Sequence, residues 1–168
     1  SFKKFNDAKF MPKRKITISV IGGHETDKKT AKLAYQVGQM IAECDAVLVC
    51  GGLDGVMEAA AKGASEAGGL TIGLLPGRDK EDANPYIAIP LPTSIGFARN
   101  AMVACSADVI VAMPGSHGTN CEISYGLVYG RPVIDLGNWN VKGMINVRDL
   151  KEAKAVIKAC IRKIQTKA

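Results

Sequence analysis

Three glycine-rich loops each follow an apolar segment directly, and loops of this kind bind phosphate. They lie at 22–26, 51–55 and 114–119. A strand that turns through glycines into a helix leaves backbone N–H groups unpaired, and these groups and the positive helix end attract anions. Parallel strands end at one edge of a sheet, so we expect the three loops to line one ligand site.

The loops supply most of the candidate contacts to a phosphorylated, nucleotide-like ligand. These candidates are Gly22, Gly23, Gly51, Gly52, Gly55, Gly115, Ser116, His117, Gly118 and Thr119. Their spacing matches neither GxGxxG nor GxxxxGK[ST], which disfavours a classical dinucleotide fingerprint and a P-loop. A tight strand-to-helix turn with no ligand is the alternative interpretation of each loop.

Glu122 is a candidate catalytic residue because it follows the third loop. A carboxylate on the first turn of a helix, beside bound phosphate, would face the sugar of a nucleotide. There it could bind ribose hydroxyls or stabilise positive charge at the anomeric carbon. Thr119 and Glu122 also have the spacing of a capping box, in which Glu122 would only secure the helix start.

Arg99 is the second candidate catalytic residue. The guanidinium is always charged, and its planar fork suits phosphate or carboxylate. A surface ion pair is the alternative, and Arg78 is a weaker candidate for the same task. His24 and His117 lie in glycine loops and could meet across the sheet edge, but two His without a cluster of Cys or carboxylate ligands disfavour a metal site, and none is predicted.

The elements that must position these residues alternate between strand and helix. Strands are predicted at 16–21, 46–50, 70–75, 86–89, 107–112 and 133–136, with a brief one at 145–147. Helices are predicted between them, one of them over 95–105, and after the last strand. This order predicts an α/β, Rossmann-like doubly wound fold, with a largely parallel sheet and helices on both faces. We expect a basic N-terminal extension at 1–15 and a single domain over 16–168.

The charge of the chain is concentrated at its ends. The formal net charge is +6, yet residues 16–148 carry ten basic and thirteen acidic side chains. A slightly acidic body disfavours nucleic acid as a partner. No apolar run approaches the roughly 18 residues of a membrane span, so no membrane association is expected. Five cysteines without a CxxC pair fit a reducing compartment, and we predict a cytoplasmic protein.

Self-association is predicted from the helix after the third loop. Gly126 and Gly130 lie four residues apart beside Leu127 and Val128, a pattern that allows close helix contact. We therefore expect a homodimer or a higher homo-oligomer.

The motifs, taken in order, resemble those of the Lonely Guy superfamily, which is often labelled lysine decarboxylase-like. They are Gly51-Gly52-Leu53-Asp54-Gly55-Val56-Met57, Arg99-Asn100 and Pro114-Gly115-Ser116-His117-Gly118-Thr119-Asn120-Cys121-Glu122. Lonely Guy enzymes hydrolyse cytokinin nucleoside 5′-monophosphates to the free base and ribose 5-phosphate. The resemblance implies that Arg99 and Glu122 are catalytic, that Gly115, Gly118 and Thr119 hold phosphate, and that Met57 belongs to the ligand site.

Three positions depart from the enzyme pattern. Glu58, Asn100 and Ser116 stand where the enzymes have Gly, Lys and Gly. The Arg-Asn pair is closer to the branch of this superfamily that resembles molybdenum cofactor carrier proteins. Two functions therefore stay open: hydrolysis of the N-glycosidic bond of a nucleoside 5′-monophosphate, or a non-enzymatic carrier or sensor of molybdopterin or a nucleotide. Neither requires a further cofactor, and lysine decarboxylation is not expected because no Schiff-base lysine is recognisable.

Overall fold

Seven parallel strands form one sheet, and five α-helices cover its two faces. The computed structural model describes residues 13–166. The strands are β1 (Thr17–Ile21), β2 (Val47–Cys50), β3 (Thr71–Leu75), β4 (Ile89–Pro92), β5 (Val109–Ala112), β6 (Val133–Asp135) and β7 (Ile145–Asn146). The helices are α1 (Lys28–Glu43), α2 (Val56–Glu66), α3 (Asn100–Cys105), α4 (His117–Val128) and α5 (Leu150–Gln165), with 3₁₀ turns at Lys80–Asp82 and Gly96–Arg99.

The strand order creates a crevice between β1 and β5. The order across the sheet is β4-β3-β2-β1-β5-β6-β7, so the chain builds outward from β1 to β4 and then returns to the other side of β1. Ligands of open α/β sheets bind where the order reverses in this way, at the carboxyl ends of the strands. The predicted fold class, a doubly wound parallel sheet in one domain, is confirmed.

Two hydrophobic clusters form the core, one on each face of the sheet. Residues of α1, α2 and α5 pack with Ile18, Val20 and Leu48 on one face, and residues of α3 and α4 pack with Ile21 and Ile110 on the other. Strands buried on both faces explain why the strand segments are almost wholly apolar.

Helices α1 and α2 approach each other closely because glycines face the contact. A Cβ atom at Gly38 would lie 1.9 Å from the Ala60 carbonyl oxygen, and one at Gly63 would lie 1.9 Å from the Tyr35 carbonyl oxygen. Neither distance leaves room for a side chain. The small residues of α2 therefore serve its packing against α1.

Strand β4 lies three residues later than its predicted position at 86–89. The Thr71 hydroxyl donates to the Tyr86 carbonyl at 2.7 Å and accepts the Ala88 N–H at 2.8 Å, which takes these backbone groups out of a strand ladder. Pairing with β3 instead begins at Ile89 and includes Pro90 and Pro92. Proline lacks an N–H, and strands that contain it occur at the edge of a sheet, as β4 does.

The glycines on which self-association was predicted do not form a contact surface. A Cβ at Gly126 would lie 2.5 Å from Ile110 Cδ1, so Gly126 faces the sheet of its own chain. Gly130 has a φ of +65° just beyond the end of α4, and glycine commonly ends a helix in this conformation. This reason for a dimer was wrong, because the pattern instead serves internal packing and helix termination.

A buried carboxylate organises the loop after β6. The Asp135 side chain is 4% exposed and accepts the backbone N–H groups of Gly137, Trp139 and Asn140 at 2.9, 3.1 and 2.9 Å. Trp139 Nε1 then donates to the Met113 carbonyl at 2.9 Å. This loop is thereby fixed to the residue just before the third glycine loop.

Most of the predicted basic extension, 1–15, lies outside the described residues. Of its last residues, Arg14 pairs with Asp108 at 2.9 Å and Lys15 pairs with Asp45 at 2.5 Å. Within 13–166, no helix is both long and apolar enough to cross a bilayer.

Candidate anion-binding site

The three glycine loops meet at the crevice between β1 and β5. The Gly23 N–H donates to the Pro114 carbonyl at 3.0 Å, and the Val56 N–H donates to the Gly23 carbonyl at 2.9 Å. A Cβ at Gly115 would lie 2.1 Å from Thr119 Oγ1 and 2.9 Å from Gly23 N. The loops therefore approach so closely that Gly115 cannot be replaced without displacing Thr119 or the first loop.

The helix starts at this crevice differ in how many N–H groups remain unpaired. The Asp27 carboxylate caps α1 by accepting the Thr30 N–H at 2.6 Å, and at α2 the Val56 N–H is used by Gly23. At α4, Ser116 is the N-cap residue but makes no side-chain cap. The N–H groups of His117, Gly118 and Thr119 have no hydrogen-bond partner within residues 13–166. The N-terminus of α4 is therefore the strongest candidate for an anion site of the three.

A cavity of about 300 Å³ opens beside the N-terminus of α4. Nine of the predicted residues line it: Gly22, Gly23, Gly51, Met57, Arg99, Ser116, Gly118, Thr119 and Glu122. Gly115 lines a second cavity of about 350 Å³, which shares Gly23, His24 and Ser116 with the first.

Three predicted residues line neither cavity. Gly52 turns the chain after β2 with a φ of +77°, and a Cβ there would lie 2.7 Å from Leu75 Cδ2. Gly55 has a φ of +67°, and a Cβ there would lie 2.4 Å from the Gly23 carbonyl oxygen. His117 is exposed at the start of α4. Gly52 and Gly55 thus shape the loops, and His117 contributes a backbone N–H at the start of α4.

Arg99 lies buried under the cavity, with a side chain 6% exposed. Its Nη1 donates to Asn100 Oδ1, and its Nη2 donates to the Gly51 carbonyl at 3.3 Å. Its Nε is buried and has no partner among residues 13–166. A Cβ at Gly51 would lie 2.5 Å from Nη2, so glycine at this position admits the guanidinium. The surface ion pair considered for Arg99 is not what the structure shows.

Glu122 faces Arg99 across the cavity, at 3.8 Å from Oε1 to Nη1. Helix α4 begins at His117, two residues before Thr119, so Glu122 lies in the second turn and not in the first as predicted. Thr119 is therefore not the N-cap, and the capping box does not form. Among residues 13–166, no group donates a hydrogen bond to this carboxylate. Burial raises the pKa of Glu122 to about 8, because desolvation outweighs the attraction of Arg99.

Sequence reasoning missed several cavity residues, notably Leu53, Asp54 and Phe97. Leu53 and Asp54 lie inside the second glycine loop, where the sequence pattern indicates ligand contact by the glycines and not by the residues between them. Phe97 stands two residues before Arg99, and only its place in the 3₁₀ turn reveals that it reaches the cavity. Within the described part of the chain, no three His, Cys, Asp or Glu side chains cluster in a way that could hold a metal ion.

Comparison with known proteins shows the family of this chain. The model of the SLOG cluster4 family matches residues 15–164. The chain belongs to this family. A protein of Archaeoglobus fulgidus is 44% identical over 121 residues, which are 72% of this chain and 80% of that protein.

Two solved structures of molybdenum cofactor proteins are similar to this family member over nearly their whole length. The molybdenum cofactor binding protein of Rippkaea orientalis has a TM-score of 0.81 and 35% identity, over 88% of this chain and 98% of that one. The molybdenum cofactor carrier protein of Chlamydomonas reinhardtii has a TM-score of 0.81 and 33% identity, over 89% and 99%. The superfamily and the branch predicted from the motifs are confirmed.

Proposed function

We propose that this protein binds the molybdenum cofactor, a phosphorylated pterin that holds molybdenum, as a carrier without turnover. The observation that carries the proposal is the similarity, over 88% of the chain, to a protein described as molybdenum cofactor binding. A nucleotide bound in the same way is the alternative ligand for a carrier.

The donors around the cavity suit such an anionic ligand. The unpaired N–H groups at the start of α4 suit its phosphate, and the buried Nε of Arg99 lacks an acceptor. A buried donor without a partner is unfavourable by about 1–3 kcal/mol, and an anionic ligand within reach would relieve this. The fit rests on groups that the protein leaves unpaired within itself.

Copurification tests the proposal. The protein is isolated without oxygen from cells that make the cofactor, and bound pterin is oxidised to its fluorescent derivative and measured by chromatography. We expect an amount that is a substantial fraction of the protein. Absence of pterin from folded protein, even after incubation with cofactor released from a molybdoenzyme, would refute the proposal.

Ser116→Asp is the matched variant for this experiment. Ser116 is exposed and lines the cavity. Aspartate is a good N-cap residue and favours the helix dipole, so the fold should be unharmed. Its charge would occupy the phosphate position, and we expect at least a tenfold loss of bound pterin. Ser65→Asp, at the exposed end of α2 and outside the cavity lining, is the control that adds the same charge elsewhere.

A second candidate function is hydrolysis of a nucleoside 5′-monophosphate, and the facing pair of Arg99 and Glu122 favours it. With phosphate on α4, Glu122 would engage the ribose while the N-glycosidic bond breaks. Because the pKa of Glu122 is about 8, a reaction that needs the carboxylate should accelerate as pH rises toward 8.

Release of base and ribose 5-phosphate from AMP and related monophosphates tests this second function. Activity that rises toward pH 8 and is lost in Glu122→Ala would support it. A panel of monophosphates left intact by folded protein would exclude it.

We also propose that the protein self-associates through α3 and α4. Met102, Tyr125, Val128 and Tyr129 are 37%, 41%, 79% and 44% exposed on these helices. Apolar exposure of this extent on neighbouring helices is typical of an interface. Light scattering should give a dimer or larger species, and Val128→Asp should give a monomer. A wild-type monomer at micromolar concentration would contradict this proposal.

A further inference from the structure

Phe97 is the most exposed large apolar side chain among the described residues, at 83% exposed, and it stands at the cavity. It shares the 3₁₀ turn Gly96–Arg99 with Arg99, which is 5% exposed. Two residues of one short turn therefore have opposite surroundings, one beneath the cavity and one in solvent at its rim. Exposing a whole aromatic ring is unfavourable unless something covers it.

The backbone before Phe97 is held in place. The N–H groups of Thr93, Ser94 and Gly96 donate to the carbonyls of Leu75, Gly77 and Pro76 at 3.0, 2.9 and 3.0 Å. The segment is thus bonded to β3 and to the loop that follows it. The ring of Phe97 therefore projects from a fixed turn.

The conformation that presents Phe97 is also a demanding one. Ser94 has a φ of +60°, which is uncommon for a residue with a side chain, and Gly96 has a φ of +59°. No atom lies within 4 Å of a Cβ placed on Gly96, so its backbone conformation, not packing, is what suits glycine there. Two residues with positive φ, Ser94 and Gly96, therefore precede Phe97 and set the direction of the backbone there.

The rest of the cavity offers apolar side chains and a polar rim. Leu53 and Met57 contribute apolar side chains, and Asn100 and Thr119 contribute polar ones beside them. Asn100 Oδ1 accepts from Arg99, whereas its Nδ2 donates to no group within residues 13–166. A cavity of about 300 Å³ with these walls suits a flat heteroaromatic ring with hydrogen-bonding edges.

We propose that Phe97 stacks on the planar heteroaromatic ring of a ligand whose phosphate lies at the N-terminus of α4. Phe97 is then a specificity-determining residue that selects ring-bearing phosphate esters over ring-free ones. This inference rests on the proposed binding function and adds the residue that recognises the ring. Removal of such a stacking contact by alanine substitution lowers the affinity roughly five- to a hundredfold.

The test measures binding of two phosphate esters to the whole protein. One is the phosphate ester of 6-hydroxymethylpterin, whose fluorescence reports stacking, and the other is glycerol phosphate, which has no ring. We expect the wild type to bind the pterin ester more tightly and to quench its fluorescence. Phe97→Ala should weaken pterin binding about tenfold or more and leave glycerol phosphate binding unchanged, and Phe97→Trp should restore the quenching.

Ile95→Ala is the matched control, since Ile95 is 49% exposed in the same segment and does not line the cavity. It should bind both esters as the wild type does. Equal pterin binding by wild type, Phe97→Ala and Ile95→Ala would overturn the stacking and leave the binding function intact. A wild type that binds neither ester would overturn both. A Phe97→Ala loss that occurs only because the oligomeric state changes would overturn the stacking alone.

Discussion

Two carboxylates in this protein are buried to a similar extent but differ in the number of hydrogen bonds that they accept. Asp135 is 4% exposed and accepts three backbone N–H groups. Glu122 is 6% exposed and accepts no hydrogen bond within residues 13–166, with the guanidinium of Arg99 3.8 Å away. Asp135 is the last residue of β6, and Glu122 lies in α4, which follows the third glycine loop. The fold gives the first carboxylate three hydrogen-bond donors and gives the second none within residues 13–166.

This difference separates structural from functional burial. A buried carboxylate with several N–H donors stabilises the loop that supplies them. A buried carboxylate with no donor is unfavourable in its charged form, and proteins retain such groups mainly where chemistry or ligand binding needs them. We propose that Glu122 is of the second kind. Its pKa is raised because the same burial disfavours the charged form.

The largest effect that we expect is at Asp135. Asp135→Ala removes the acceptor of three backbone N–H groups and should lower the free energy of unfolding by about 3 kcal/mol. Urea denaturation measures it. The free energy of unfolding of Asp135→Asn should lie between those of the wild type and Asp135→Ala. One oxygen remains as an acceptor, whereas the new NH₂ group faces the Asn140 N–H and cannot accept it. A loss below about 1 kcal/mol in Asp135→Ala would mean that the two carboxylates do not differ as described.

At Glu122 we expect the opposite sign, because removal of the charge should raise the free energy of unfolding. The pKa is raised from 4.5 to about 8, so the folded protein holds a proton that the unfolded chain releases between these values. The stability of the wild type should therefore fall as pH rises from about 4.5 to about 8. Glu122→Gln lacks this dependence and should be more stable at pH 8 by on the order of 2 kcal/mol.

Thermal unfolding of both proteins across this pH range measures the difference. The advantage of Glu122→Gln should grow through the window and then level off above it. If the substitution instead destabilised the protein at every pH, Glu122 would be a structural carboxylate like Asp135.

The smallest effect concerns the connection between the two regions. Trp139→Phe keeps the aromatic ring but removes the Nε1 donation to the Met113 carbonyl, at an expected loss of about 1 kcal/mol. Because Met113 precedes the third glycine loop, we also expect a few-fold weaker binding of a phosphate ester. Calorimetric titration with glycerol phosphate checks this, and unchanged affinity would show that the Asp135 loop and the anion site are independent.

Much of this arrangement could be predicted from the sequence. The buried strands and the glycines at their ends were enough for the fold class and for the meeting of the three loops, because parallel strands must end at one edge. The residue pair Arg99 and Glu122 was identified from residue type and motif alone.

What the sequence did not reveal depends on distances between segments. The Gly23 N–H and Val56 N–H are used between loops, so the three apparent anion sites reduce chiefly to one at α4. Gly126 faces Ile110, which no helical spacing indicates. In the sequence, Phe97 is indistinguishable from an ordinary buried apolar residue, whereas in the structure the 3₁₀ turn places it in solvent. In the first two cases a tertiary contact, not a local pattern, decides the role, and for Phe97 it is the exposure of its side chain beside the cavity.

The prolines of β4 restrict how this molecule can assemble. An edge strand normally offers unpaired N–H groups to which another chain could add, but Pro90 and Pro92 have none to offer. At the opposite edge, β7 is only two residues long. Copies of this protein are thus poorly equipped to extend one another's sheets, and aggregation by strand addition is disfavoured at both margins.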